Sequence, residues 1–388
     1  MRSTAGDDRG AIETAEQVLL LLDRGSFNST YKYAVLLGLM DVCLERATRD
    51  GSAPDSVTTW QLAERVIELY WPQTLPFLPA RRAVRTATET VLSQNKGGPA
   101  EILQHILDFR AQHAPERSTP LGRARAAAPS AFDALIRHVE WKLMKMPLPL
   151  LPKLGRGESR ASLYTIQWGE DVTRRSIRRG IDNQIRFVGR TGEHLVRLAG
   201  LLRPLIQREW AAMVADLNRE LTGERQLEEF LFGSQRAALA AVRHPLRELQ
   251  EDRCFYCGNK LGSRVEVDHF VPWARYPLDD VQNLVAVDPR CNNDKRDFLA
   301  ATSHVGRWSA RNLQRTTDLE ELARRAGWPS DDSRSGAVAR AIYLHLPATS
   351  QLWLGHRGRF EPVDPCALRN ALGAGTSECG IVGDGRDA

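Results

Sequence analysis

The sequence predicts a mainly α-helical chain that carries one small α+β module, and three observations lead there. Apolar residues recur at helical spacing through most of the 388 residues. Between Cys254 and Phe298 that habit breaks, and short strand-like apolar runs alternate with polar loops. Apolar residues make up 42% of the chain, enough for two or three domains that each bury a core.

The N-terminal part, 1–112, reads as a helical domain. Helical spacing covers 11–23, 29–50 and 56–70, the last with Val57, Leu62, Val66 and Leu69 inward and a stop before Pro72. Two more helices, 81–93 and 99–112, flank a Gly-Gly break. Residues 113–129 lose the period and gather Pro, Gly and Arg, so they read as a linker. A helical, basic middle region follows over 130–250: a helix at 130–146, a short strand around Tyr164 to Trp168, and helices at 200–217 and 227–250, with Pro204 near the start of the first. After the α+β module at 251–302, helices at 313–326 and 335–346 form a helical C-terminal extension over 303–370. The Gly- and Asp-rich end, 371–388, reads as a disordered tail.

Charge and cysteine usage narrow the function. The formal net charge of +5 permits a nucleic-acid partner. Within the middle region Arg174 and Arg178, and Arg175 and Arg179, stand four apart. On a helix they would form either a phosphate-gripping ridge or an ordinary solvated face. No apolar run is long enough for a membrane span and the first residues do not resemble a secretory signal, so a cytoplasmic protein is expected. Six cysteines are too few for a disulfide framework in so long a chain, and Cys254, Cys257 and Cys291 cluster in the module, as metal ligands would.

The chemistry of the module can be read from its residues. RVEVDHFVPW ends a strand on Asp268 and His269, whose side chains should face opposite ways. An aspartate can hold a hard cation, while a histidine titrates near neutral pH and suits a general base. NLVAV opens a second strand at Asn283, and PRCNNDK starts a helix bearing Asn292, Asn293 and Lys295. Trp273, Arg275 and Tyr276 follow the Asp-His pair, where they could line a nucleic-acid groove.

This ordered set, Cys-x-x-Cys, Asp-His, Asn and Cys-Asn-x-x-Lys, resembles the HNH endonucleases, in which two strands and a helix form a ββα-metal core. The resemblance implies a metal-dependent endonuclease acting on double-stranded DNA, with Mg2+ or Mn2+ as its cofactor. It makes His269 the general base, Asp268 and Asn292 the metal ligands, and Asn283 the residue that orients the catalytic loop. Asn293 is the substitute ligand if the register slips by one. Lys295 and Arg275 are then phosphate contacts, beside Arg174, Arg175, Arg178 and Arg179. Relatives often carry a second Cys-x-x-Cys pair around a structural Zn2+. Here Cys254, Cys257 and Cys291 are present, and Asp288 stands where the fourth cysteine would be. The wider chain resembles bacterial HNH proteins of mobile-element or phage-defence settings. Two other readings stay open: a catalytically idle HNH fold that binds nucleic acid or serves as a scaffold, and an RNase.

Overall fold

The computed structural model describes residues 2–24, 28–77, 91–98, 100–117, 119–151, 163–169, 171–178, 180–219, 224–233, 239–355 and 358–375. The helical body begins with α1 (Arg2–Arg24), α2 (Tyr31–Glu45), strand β1 (Ser56–Thr58), α3 (Thr59–Tyr70), α4 (Glu101–His113), α5 (Leu121–Ala127) and α6 (Pro129–Lys145). It continues through β2 (Tyr164–Thr165), α7 (Arg174–Arg178), β3 (Gln184–Phe187), α8 (Thr191–Leu217), α9 (Glu224–Phe232) and α10 (Ala240–Leu249). Helix α2 is apolar on every side and buried from Tyr33 to Leu44, so neighbours must surround it. Helices α3 and α8 flank it, and α1 lies along α8. Helix α3 starts at a reciprocal cap in which Thr58 and Gln61 satisfy each other's backbone N–H. Strands β1, β3 and β2 form a small antiparallel sheet that pins α3 to the middle region, Val57 opposite Ile185 and Tyr164 opposite Phe187.

The module follows: β4 (Glu266–His269), β5 (Leu284–Val287) and α11 (Pro289–Lys295), with β4 and β5 antiparallel from Glu266 opposite Val287 to His269 opposite Leu284. Helices α12 (Thr302–Gln314), α13 (Thr316–Ala326) and α14 (Asp332–Tyr343), the hairpin β6 (Gln351–Gly355) and β7 (Arg359–Pro362), and α15 (Pro365–Ala371) complete the chain. The chain is mainly α with a small α+β module, as its periodicity predicts.

Several boundaries differ from the sequence reading. Residues 113–129 contain α5, whose Ala124 is buried, and α3 packs on α6 across that stretch. Helix α8 runs through Pro204 for 27 residues, because packing against α1 and α2 tolerates one missing backbone bond. The single helix expected over 227–250 is two, and Gly233 follows the first. The C-terminal extension is not wholly helical. Its hairpin docks on the module, where Trp353 exchanges backbone bonds with Leu299 and Ala301 and its indole N–H donates to Asp294 at 3.0 Å. The helix expected at 81–93 falls outside the described residues over 81–90, as does the tail over 376–388.

The helical body meets the module through a buried ionic network. Asp41 on α2 pairs with Arg65 on α3 at 2.7 Å and with Arg203 on α8. Arg65 also reaches Glu45, 3.5 Å away, and Glu68. Arg334 on α14 links Glu68, at 3.3 Å, to Asp280, at 2.7 Å. Tyr276, fully buried, donates its hydroxyl to Glu45, and the Arg65 and Arg203 guanidinium groups both lie near its ring. Ions taken this far from water persist only when paired. The network therefore anchors 276–280, the stretch that passes beside His269.

Candidate functional site

Strand β4 sorts its side chains by alternation. Glu266 and Asp268 share one face, while Val267 and His269 share the other. On the first face Asp268 is 9% exposed, and its Oδ2 accepts from the Tyr256 hydroxyl at 2.7 Å and meets Lys295 Nζ at 3.0 Å. Asn292 on α11 donates its amide to Glu266 Oε2 at 2.7 Å, which fixes the amide and aims its oxygen away from Glu266. Glu266 is the residue that sequence reasoning misses. Its position two before Asp268 on a strand was the available signal.

On the second face His269 is 8% exposed. Its Nε2 lies 2.8 Å from Asp279 Oδ1, and the Trp273 ring meets the imidazole edge to face at 5.1 Å. Asn283 is fully buried. Its carboxamide accepts from Val271 N at 2.8 Å and donates to Val271 O and Leu278 O, clamping both ends of the loop between β4 and β5.

Other expected residues sit elsewhere. Lys295 was expected to touch phosphate, but it is 0% exposed and its ammonium donates to His269 O at 3.0 Å. A lysine this deep carries its charge for Asp268, not for a ligand in solution. Tyr276 belongs to the ionic network instead of a groove wall. Asn293 is exposed on the outer side of α11. Arg275 is exposed and its side chain lies over Gly200 of α8. Arg174 and Arg175 are exposed on α7, with Arg174 against His138 and over the Trp141 ring. The Arg178 side chain and Arg179 lie outside the described residues.

Beside the site, Cys254, Cys257 and Cys291 bring their sulfurs within 4.8 Å of one another. The Cys254 and Cys291 sulfurs are 3.5 Å apart, a contact that is the largest cause holding Cys254 down at about 5 and that pushes Cys291 up. Asp288 contributes its backbone N–H to Cys254 Sγ at 3.3 Å, while its carboxylate caps α11 by accepting from Arg290 N. Asp288, which stands where relatives carry a fourth cysteine, is a helix cap, because the residue before a helix offers its side chain to the first free N–H groups. A second group, Glu101, His105 and His138, also lies within 4.8 Å, a juxtaposition of α4 with α6 that linear spacing hides. Lys142 pairs with Glu101 and Arg174 approaches His138, so cations already crowd that cluster.

No curated protein matches the chain, and no solved structure does. Among the described residues no helix is long and apolar enough to cross a membrane. Residues 254–301 match the family model for HNH endonuclease and span both strands, α11 and the three cysteines. With that match laid over the ββα geometry, residues 254–301 form a domain of the HNH endonuclease family.

Proposed function

We propose that the chain is an endonuclease that hydrolyses phosphodiester bonds in double-stranded DNA, with His269 as general base and one divalent ion held by Asp268 and Asn292. The observation that carries this reading is the division of labour across β4. Glu266 and Asp268 face α11, where they meet Asn292 and Lys295, while His269 faces the Asp279 loop. The donor set fits a hard cation. It is all oxygen, Asp268 is contacted through Oδ2 among the described residues, and the amide nitrogen of Asn292 is the atom bound to Glu266, which leaves its oxygen as donor. Mg2+ or Mn2+ bound there would supply positive charge for the phosphoryl oxygens and leaving group.

The chain's own residues do the rest. Asp279 holds one imidazole nitrogen of His269, which orients the ring and leaves the other nitrogen to take a proton from the attacking water. Asn283 fixes the loop that positions both. Arg275, Arg174 and Arg175 supply exposed charge for the DNA backbone. The three thiol groups would hold a structural Zn2+. Their spacing, the lowered Cys254 thiol and the N–H donated to its sulfur fit a thiolate site, whose fourth position no described His, Cys, Asp or Glu side chain fills.

The test is cleavage of supercoiled plasmid with and without Mg2+. His269→Ala should lose about 10^2- to 10^4-fold in rate while keeping its melting temperature. Wild-type cleavage by that variant removes His269 from the chemistry. An RNA substrate cut faster than DNA would instead support the ribonuclease reading.

A further inference from the structure

A cavity of about 890 Å3 lies between the helical body and the HNH domain, within the size range of small-ligand sites. Trp71, Trp273 and Trp328 contribute to its wall, and so do Asp279 and Arg110. Most of the charges around it are already balanced. Glu64 pairs with Arg125, Glu68 with Arg65 and Arg334, and Asp280 with Arg334.

Arg110 stands outside that balance. It projects from α4, is 7% exposed, and lies with its guanidinium 3.8 Å above the Trp71 ring. Its Nε donates to Thr74 Oγ1 at 2.6 Å and one terminal nitrogen donates to Trp71 O at 3.0 Å. The other terminal nitrogen, Nη1, is buried and has no hydrogen-bond partner among the described residues. Both acceptors it does have are neutral, and no carboxylate pairs with it among the described residues. Burial alone pulls this guanidinium down to about 10. A charge withdrawn from water without a counter-ion is costly, and an unmet donor adds to that cost. Thr74 and Trp71 hold the side chain in place at the cavity wall, so the guanidinium is a fixed half of an ion pair.

We propose that this cavity binds a small nucleotide, whose phosphate completes the Arg110 guanidinium and whose base packs against the indoles that share the wall. A guanidinium offers a planar donor fork that suits phosphate oxygens, and tryptophan faces accept any flat base. Asp279 and Trp273, which both contact the His269 ring, line the same cavity.

The test is calorimetric titration of the full chain, without divalent ions, against the four nucleoside monophosphates, adenosine, inorganic phosphate and a short single-stranded oligonucleotide. Binding is read without cleavage, so an inactive nuclease site would leave the result untouched. At least one monophosphate should bind saturably and at least about 10-fold more tightly than phosphate or adenosine, and Arg110→Gln should weaken it by about 10-fold or more. Equal affinity in Arg110→Gln overturns the proposal. So does binding of phosphate alone, of the oligonucleotide alone, or of none of the probes at millimolar concentration. Should Arg110→Gln not fold, hydrogen exchange on the wild-type chain decides. The nucleotide must slow exchange in α4 and at 72–74, and unchanged exchange there overturns the site.

Discussion

Lys295 Nζ lies 3.0 Å from Asp268 Oδ2 and 3.0 Å from the main-chain oxygen of His269, with the lysine wholly buried. One ammonium therefore ties α11 to both β4 residues assigned to the chemistry. Removing it leaves a carboxylate 9% exposed beside a hydrogen-bonded tyrosine and no cation. Lys295→Met should destabilise the chain by roughly 3–5 kcal/mol, the usual cost of orphaning one member of a buried pair. Urea unfolding measures it. Adding Asp268→Asn to Lys295→Met should recover part of the loss, because the orphaned charge is gone. A stable Lys295→Met chain that merely binds DNA less well would return the lysine to the phosphate role its sequence position suggests.

Asp279 is 2.8 Å from His269 Nε2 and is held beside Asp280, whose carboxylate Arg334 grips. It acts through the histidine, so it is a positioning residue. Asp279→Asn should lower kcat about 10-fold or more with KM for DNA nearly unchanged, since misorienting a base affects the transition state more than binding. Asp279→Glu should recover part of the rate. If Asp279→Asn raises KM and spares kcat, the residue serves DNA binding instead.

How far the sequence reaches can be judged from these same residues. Helical class was legible because α3 and α6 repeat apolar residues at the helical period, and the HNH segment because its motif order is compact. The pairing of Asp268 and His269 with opposite faces follows from strand alternation alone. Depth was not legible. Lys295 and Tyr276 carry polar atoms that a sequence reads as surface, and only the folded chain supplies their partners Asp268 and Glu45. Asp279, Glu266 and Arg110 are ordinary charged residues in the sequence. Their significance arises from contacts between segments that no local period encodes.

The three-cysteine cluster carries its own expectation. Metal bound only by the folded state adds its binding free energy to folding. Dialysis against a strong chelator should release about one Zn2+ per chain by elemental analysis and lower the melting temperature, and Zn2+ should restore it. Cys254→Ser should behave like the chelated protein. A chain that carries no zinc and melts at the same temperature with and without chelator would make the cluster a set of packed thiols.

The ionic network sets a pH dependence with two opposite limbs. Glu45 is raised from 4.5 to about 7, burial being the largest cause, with Arg65 working against it. Glu68 is lowered, because Arg334 and Arg65 together outweigh its burial. A carboxyl raised in the folded state binds its proton better folded than unfolded, so its contribution is full below pH 4.5 and is lost as pH climbs through about 7. Glu68 has the reverse sign. Its contribution is present above its ordinary range and is lost as acid protonates it in the folded state. Thermal melts from pH 4 to pH 8 should therefore show a maximum between the two limbs. Glu45→Gln should flatten the fall between pH 5 and pH 7.5 and leave the acid limb in place, because it removes the titrating group while keeping an acceptor for Tyr276. A fall on the alkaline side that persists unchanged in Glu45→Gln would assign that limb to another group, with Asp280, also raised by burial, as the next to replace.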